Sequence, residues 1–222
     1  ALAHDARAAL RLAAREMPSI GLAMAQGLSA GGTGRPRPSQ IIRLKSFLVP
    51  RALFAPEVML GDKAVAFVDP VTGGTEAVTS GAAPDHTVRL PEGETITLPL
   101  MAIAYARSGD KGNRANIGIA ARHEDFVALI RDQIPAPVVA NWFSHLVKGP
   151  VQRFALPGVM AFNYLLFEAL GGGGTASLRF DPQGKALGQI LLDLPIELPK
   201  KWLGHPALKD IPELQKARRD QT

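Results

Sequence analysis

The segment RSGDKGNR, residues 107–114, places three cations, one carboxylate, one hydroxyl and one amide between two runs of strand character. Its glycines, Gly109 and Gly112, permit tight turns that present backbone N–H groups. Arg107, Lys111 and Arg114 add positive charge, so the segment suits a phosphate or carboxylate ligand. Asp110 and Lys111 are the candidate catalytic residues. A carboxylate flanked by cations suits a base or a structural ion pair better than an acid. Arg107, Ser108, Gly109, Gly112, Asn113, Arg114 and Asn116 are the candidate binding groups. The plainer alternative is a β-turn closed by a local Asp–Lys or Asp–Arg pair. The pattern GxxxxGK[ST] of a Walker loop does not occur.

A second candidate is the run Gly171, Gly172, Gly173 and Gly174, where the backbone can approach a ligand closely. A helix cap and flexible turn would use the same residues. The five histidines, at 4, 86, 123, 145 and 205, show no HxH, HExxH or HxxxH spacing. They read as surface or capping residues, and no metal is expected. Asn116 and Asn163 lie in apolar surroundings, where an amide needs a partner. Glu168 reads as a solvated carboxylate. Neither a nucleophile elbow nor a matched Ser/His/Asp set occurs, and no GxGxxG follows a strand.

Composition narrows the classes further. The 222 residues are 46% hydrophobic and 20% charged, an ordinary globular mix. With 22 glycines and 18 prolines, a loop-rich protein is expected. The absence of cysteine excludes disulfides, thiolate catalysis and Cys-based metal sites. No apolar run approaches the roughly 18 residues of a membrane span. The chain opens without a basic segment and apolar core of the secretory kind. A cytoplasmic location without membrane contact is therefore expected. The net charge of +5 raises nucleic acid as a partner. The cations are scattered, though, and aromatics at 6% are not interleaved with them, so no nucleic-acid partner is expected. The first residue is not Met and the chain starts within a helical pattern, which suggests a processed chain or a piece of a longer one.

The elements that must hold these residues fall into zones. Residues 1–17 read as an Ala/Arg helix, with Pro18 disfavouring continuation. A Gly/Pro loop covers 27–39, and QIIRLKSFLVP, 40–50, reads as a strand. Within 56–97, short β-like runs at 64–68, 76–79, 87–90 and 95–98 are separated by turn residues. The third zone predicts strands at 98–106, 115–121 and 151–156, and helices at 125–132 and 136–147. It further predicts an apolar helix at 159–170, then strands at 177–180 and 186–194 joined by a hairpin-like turn. Residues 199–222 form a basic tail, docked or frayed. The alternation implies an α+β sandwich, one sheet with helices on one face.

The run AYARSGDKGNRANIGIAAR, 104–122, is similar to the opening of the small ferredoxin-like domain of the acyclic terpene utilisation (AtuA-like) family. The later run ALPGVMAFNYLLFEALGGGGTASLRFDPQGKALGQILLDLPI, 155–196, resembles the rest of that domain. The first zone resembles the closing helix and strand of the larger domain that precedes it. The resemblance implies this division: 1–55, the end of a larger α/β domain; 56–97, a β-rich connector; 98–198, the ferredoxin-fold domain; 199–222, the tail. It implies a catabolic role on acyl-CoA thioesters of branched or terpenoid acids such as citronellate and geraniate, with lyase or hydratase chemistry. The CoA thioester would be substrate, and no cofactor is implied. A homo-oligomer, or a partner chain supplying the upstream domain, would complete the protein. The alternative is a non-catalytic assembly module that pairs through the helix expected at 159–170.

Overall fold

A computed structural model describes residues 3, 5–23, 37–45, 47–54, 57–66 and 91–219. The chain forms two compact units, residues 45–85 and the remainder. The smaller unit contains an antiparallel hairpin, β1 (Val58–Leu60) and β2 (Lys63–Val65), whose turn uses Gly61 at φ 61°. The runs expected at 76–79 and 87–90, and the loop at 27–36, lie outside the described residues.

The larger unit opens with α1 (Arg7–Ala23), which continues through Pro18. The expected stop at residue 17 is thus corrected. A proline inside a helix removes one backbone hydrogen bond but does not forbid the turns on either side. The strand expected at 40–50 is also absent: residues 40–45 and 47–50 have no regular structure. Their side chains are exposed, Leu44 at 79% and Leu48 at 100%. A strand needs a neighbour's ladder as well as an apolar pattern, and no described strand pairs here.

The hydrophobic core is built by residues between Leu98 and Ala217. Strand β3 (Thr95–Pro99) pairs antiparallel with β8 (Pro195–Pro199), tying the two ends of this region together. Thr97 and Thr95 each donate to the Glu197 carboxylate at 2.7 Å and hold it below the usual carboxylate range. The single strand expected at 98–106 is broken by a 3-10 turn, Leu100–Ala102, as the chain crosses to the main sheet. That sheet is antiparallel and four-stranded, in the order β4 (Ala104–Lys111), β5 (Arg114–Ala121), β7 (Ala161–Leu166) and β6 (Val151–Leu156). The expected strands at 115–121 and 151–156 are found there. Helices α2 (Asp125–Gln133) and α3 (Ala136–Trp142) follow β5, with α3 shorter than expected.

Two expectations are reversed. Residues 159–170 form no helix, because their centre is β7, an interior strand with ladder partners on both edges. Its burial alternates, with Phe162, Tyr164 and Leu166 inward, but an apolar run this short does not reveal which period it follows. Residues 186–194 form no strand, because Leu187–Leu192 is the helix α4. It lies on β4, and a Cβ at Gly188 would stand 3.3 Å from the Arg107 backbone. No strand forms at 177–180 either.

Register sorts the side chains by face. Ser108, Ile117, Tyr164 and Arg153 form one row across the four strands. This face is buried: Ile117 and Tyr164 are at 0% exposure. Ser108 meets the start of α4 here. Tyr164 donates to the Ile134 carbonyl at the end of α2, at 2.7 Å. The opposite face is open, with Tyr105 57% and Leu156 42% exposed. The architecture is α+β, with helices on one face of the sheet. The tail is docked: Leu203, Leu208, Ile211 and Leu214 are buried in the same core, the last on α5 (Pro212–Arg219). Among the described residues, no helix is long and apolar enough to cross a membrane.

Ser108 and Tyr164 generate two expected outcomes. Ser108→Ala leaves a buried N–H and a carbonyl unpaired and should cost about 1–3 kcal/mol in urea unfolding; an unchanged midpoint would show that these bonds contribute nothing. Burial pushes the Tyr164 phenol above its ordinary 10.0. The unfolded phenol ionises first, so this stabilisation is complete below pH 10 and is lost as pH rises above it. Tyr164→Phe should flatten the alkaline part of the stability curve, and a steep loss retained in that variant would assign it to another group.

Candidate functional site

Residues 107–114 are not the expected loop. β4 and β5 stay paired down to Lys111 and Arg114, leaving only Gly112 and Asn113 as the turn. Gly112 takes φ 65°, the left-handed conformation that such short hairpin turns demand and that glycine adopts without strain. The strand pleat then divides the candidates. Ser108 and Asp110 fall on the helix-covered face, whereas Arg107, Gly109 and Lys111 fall on the open one. Asn116, opposite Gly109, shares the open face and donates to Asn163 Oδ1 at 3.3 Å.

The structure does bring the hairpin tip and the glycine run together. Asn113 Oδ1 accepts the Gly172 N–H at 2.7 Å, and the Asn113 carbonyl accepts Ala169 N–H at 3.0 Å and Leu170 N–H at 3.3 Å. Gly171, Gly172 and Gly173 have φ of 65°, 110° and 98°. A Cβ at Gly173 would stand 3.2 Å from the Gly112 carbonyl oxygen. The glycines thus serve the close approach of two chain segments. A Cβ at Gly174 would lie 3.8 Å from Asp110 Oδ2, so the Asp110 carboxylate faces this run.

Several candidates are engaged within the protein. The Ser108 hydroxyl shares its proton between the Gly184 carbonyl (2.6 Å) and the Lys185 carbonyl (3.0 Å), and accepts the Gly188 N–H (2.8 Å). The Arg114 guanidinium lies 4.4 Å from the Phe167 ring centroid. Lys111 Nζ donates to the Asp110 carbonyl at 3.1 Å rather than to its carboxylate. No local Asp–Lys or Asp–Arg ion pair closes the turn among the described residues. Arg107 is exposed and makes no hydrogen bond or ion pair among them.

A basic groove of about 860 Å³ opens beside this region. Its walls are the start of α1, residues 37–41, and the stretch 175–179 that follows the glycine run. Thr175 Oγ1 donates to the Ile42 carbonyl at 2.6 Å and holds two of these walls together. Arg7, Arg11, Arg37 and Arg179 line it, opposed by Asp5 alone. Arg179 is engaged, donating to the Ala169 and Leu146 carbonyls. Arg7, Arg11 and Arg37 make no hydrogen bond or ion pair among the described residues. Several guanidiniums lining one groove without protein partners suit an anion such as phosphate. The sequence places Arg7 and Arg11 on one polar helix face and Arg37 among scattered cations. Only the tertiary arrangement makes them neighbours.

Residues 98–197 match the family model of the AtuA ferredoxin-like domain. No curated protein and no solved structure gives a match.

Gly173→Ala tests the docking of the glycine run. The variant meets both the positive φ and the Gly112 carbonyl, and should lose about 1–2 kcal/mol or more of stability in thermal or urea unfolding. A variant as stable as the parent would show that this packing is loose.

Proposed function

Since residues 98–197 are an AtuA ferredoxin-like domain, we propose that the chain serves acyclic terpene utilisation, as part of a catabolic enzyme acting on branched acyl-CoA thioesters. The observation that carries this reading is the groove that Arg7, Arg11 and Arg37 line without protein partners among the described residues. A CoA thioester brings a pyrophosphate and a further phosphate to such a surface. At about 860 Å³ the groove lies within the usual range for ligand pockets of about 300–1,000 Å³. Its 175–179 wall continues directly from Gly171–Gly174, against which the Asp110 carboxylate is set. In this reading the arginines take the phosphates. The acyl end runs past the 175–179 wall towards Asp110, since the glycines themselves are packed against the hairpin tip. Asp110 is then the base for lyase or hydratase chemistry, while Lys111, on the opposite face of β4, is bonded to the Asp110 backbone carbonyl and takes no part in the step. The division into an upstream domain end at 1–55, a connector at 56–97, the domain at 98–198 and a tail belongs to the same proposal.

The second reading, an assembly module, has one observation in its favour. The open face of the sheet exposes Tyr105 and Leu156 beside Phe154 and Leu165, at register positions that form a continuous surface. It would pair through that face, since β7 occupies the place of the helix first expected to do so.

Thermal unfolding of the full chain against free CoA and a panel of branched saturated, unsaturated and 3-hydroxy acyl-CoAs separates the readings. A thioester held at 100 times its dissociation constant should add about 2.7 kcal/mol. The double variant Arg7→Ala/Arg11→Ala should weaken binding roughly tenfold or more, since charged hydrogen bonds contribute about 1.5–3 kcal/mol. Asp110→Asn should spare binding and abolish turnover. Absence of any shift with every thioester, together with a stable oligomer lost on Tyr105→Asp, would favour the assembly module and overturn the enzyme reading.

A further inference from the structure

We propose that His123, Asp125 and His205 form a binding site for a divalent transition metal at the N-terminal end of α2. His123 lies in the connection from β5 to α2, and Asp125 is the first residue of α2. His205 arrives from the tail, after the 3-10 turn Lys200–Trp202. It lies beyond the residues matched by the family model, so the site is built by this chain's own extension. It shares no residue with the basic groove or the hairpin tip, and stands or falls independently of the acyl-CoA reading.

The geometry is convergent. Asp125 Oδ2 lies 3.2 Å from His123 Nδ1 and 3.2 Å from His205 Nε2. All three ligand atoms fall within 4.8 Å of one another. A metal bonded at about 2.0–2.2 Å to each ligand spaces neighbouring ligand atoms by roughly 3–3.5 Å. Two of the three edges already have that length. Two imidazoles and one carboxylate suit zinc, iron(II), cobalt or nickel, and suit magnesium or calcium poorly.

The hydrogen bonds around the cluster point the same way at His123. Its Nδ1 is positioned to accept the Asp125 N–H at 3.4 Å, which places a lone pair on that nitrogen. The same nitrogen faces the Asp125 carboxylate oxygen, another acceptor. A cation between them takes that lone pair in place of the long Asp125 N–H contact and removes the opposition of nitrogen and carboxylate oxygen. His205 starts from a different tautomer. Its Nδ1 accepts the Ala207 N–H at 3.1 Å, so the proton of the neutral ring sits on Nε2 and points at Asp125. Loading through Nε2 transfers that proton to Nδ1 and breaks the Ala207 bond, which gives the proposal a local signature.

The surroundings suit a site with one open side. His205 is 13% exposed, and its ring centroid is 4.7 Å from that of the buried Phe126 and 6.3 Å from that of Trp202. This aromatic wall fixes the ring before any ion arrives. His123 and Asp125 are 42% and 50% exposed, leaving room for water to complete the coordination shell. Three protein ligands with an open position is the arrangement of exchangeable and catalytic sites rather than of closed structural ones. Because the ligands join α2 to the tail, a bound metal also clamps the tail to the domain.

The experiment uses the full chain, freed of any affinity tag and stripped with chelator. Calorimetric titration with zinc and visible absorption with cobalt(II) should each show one equivalent bound. His123→Ala and Asp125→Asn should each weaken binding roughly tenfold or more. Both alter exposed side chains, and circular dichroism checks that each variant is folded. In two-dimensional NMR the Ala207 amide should shift on zinc addition in the parent, and in His123→Ala only at roughly tenfold higher zinc or more. Failure of the parent to bind either ion overturns the proposal. So does one-equivalent binding that both variants retain, which would place the metal on other histidines. An Ala207 amide that never responds overturns the assignment of His205 as a ligand.

Discussion

The register of the β4–β5 hairpin decides where nearly every other polar group of the domain goes. A two-residue turn allows no slack, so Gly112 and Asn113 fix Lys111 opposite Arg114 and, with it, every pair down to Ala104 and Ala121. A shift of one residue would move Ser108 from the helix side to the open face and bring Arg107 inward. Ser108 would then lose three contacts to the stretch that leads into α4, and an arginine would enter the buried layer unpaired. The turn is therefore as much a statement about α4 as about its own strands.

From that turn the constraint passes to residues 168–188. Asn113 uses both its side chain and its carbonyl to hold the backbone at 169–172. The approach is close enough that only glycine fits at 173. Arg179 then reaches back to the Ala169 and Leu146 carbonyls, joining this irregular stretch to the turns that follow α3. Asp181 accepts the Lys185 and Ala186 N–H groups at 3.0 and 2.8 Å, and so starts the turn into α4. Gly188 lets that helix settle on the Arg107 backbone. A region with no strand and only one short helix is ordered in this way by side chains bonded to backbone groups, which satisfies the buried polar atoms that regular structure would otherwise pair.

The same constraint separates the legible parts of the sequence from the rest. β5, β6 and α2 were legible, because each carries a clear period or a proline boundary. The main misreadings share a cause. AFNYLL at 161–166 and LGQILL at 187–192 are both short, largely apolar runs, so neither is long enough for a period to betray its type. QIIRLKSFLVP has the pattern of a strand but no described ladder partner. The polar run RSGDKGNR looked like a loop because its residues are those of loops, yet pairing with β5 overrides that preference. The alignment of Asp110 with the glycine run, 64 residues later in the chain, depends on pairings that no local pattern encodes. The same is true of the groove and the histidine cluster. Their members are spread over α1, residues 37–41, the β5–α2 connection and the tail.

That dispersal bears on where function resides. The stretch 98–197 supplies a sheet, helices and a hairpin tip, but only Arg179 of the groove's four arginines, and both its terminal nitrogens are already engaged. Free positive charge reaches the groove only when Arg7, Arg11 and Arg37 come against it. The same stretch supplies His123 and Asp125 but lacks the third ligand atom, which His205 brings from beyond it. In both places the shared domain provides a rigid wall, and the flanking segments provide the groups that can recognise something. A fold common to a family does not by itself choose a ligand. In this chain the segments outside the domain are held against it by Thr175 on the Ile42 carbonyl at one border and by the packing of Leu203, Leu208 and Leu214 at the other, so any ligand recognised at the groove or at the histidine cluster would depend on those contacts.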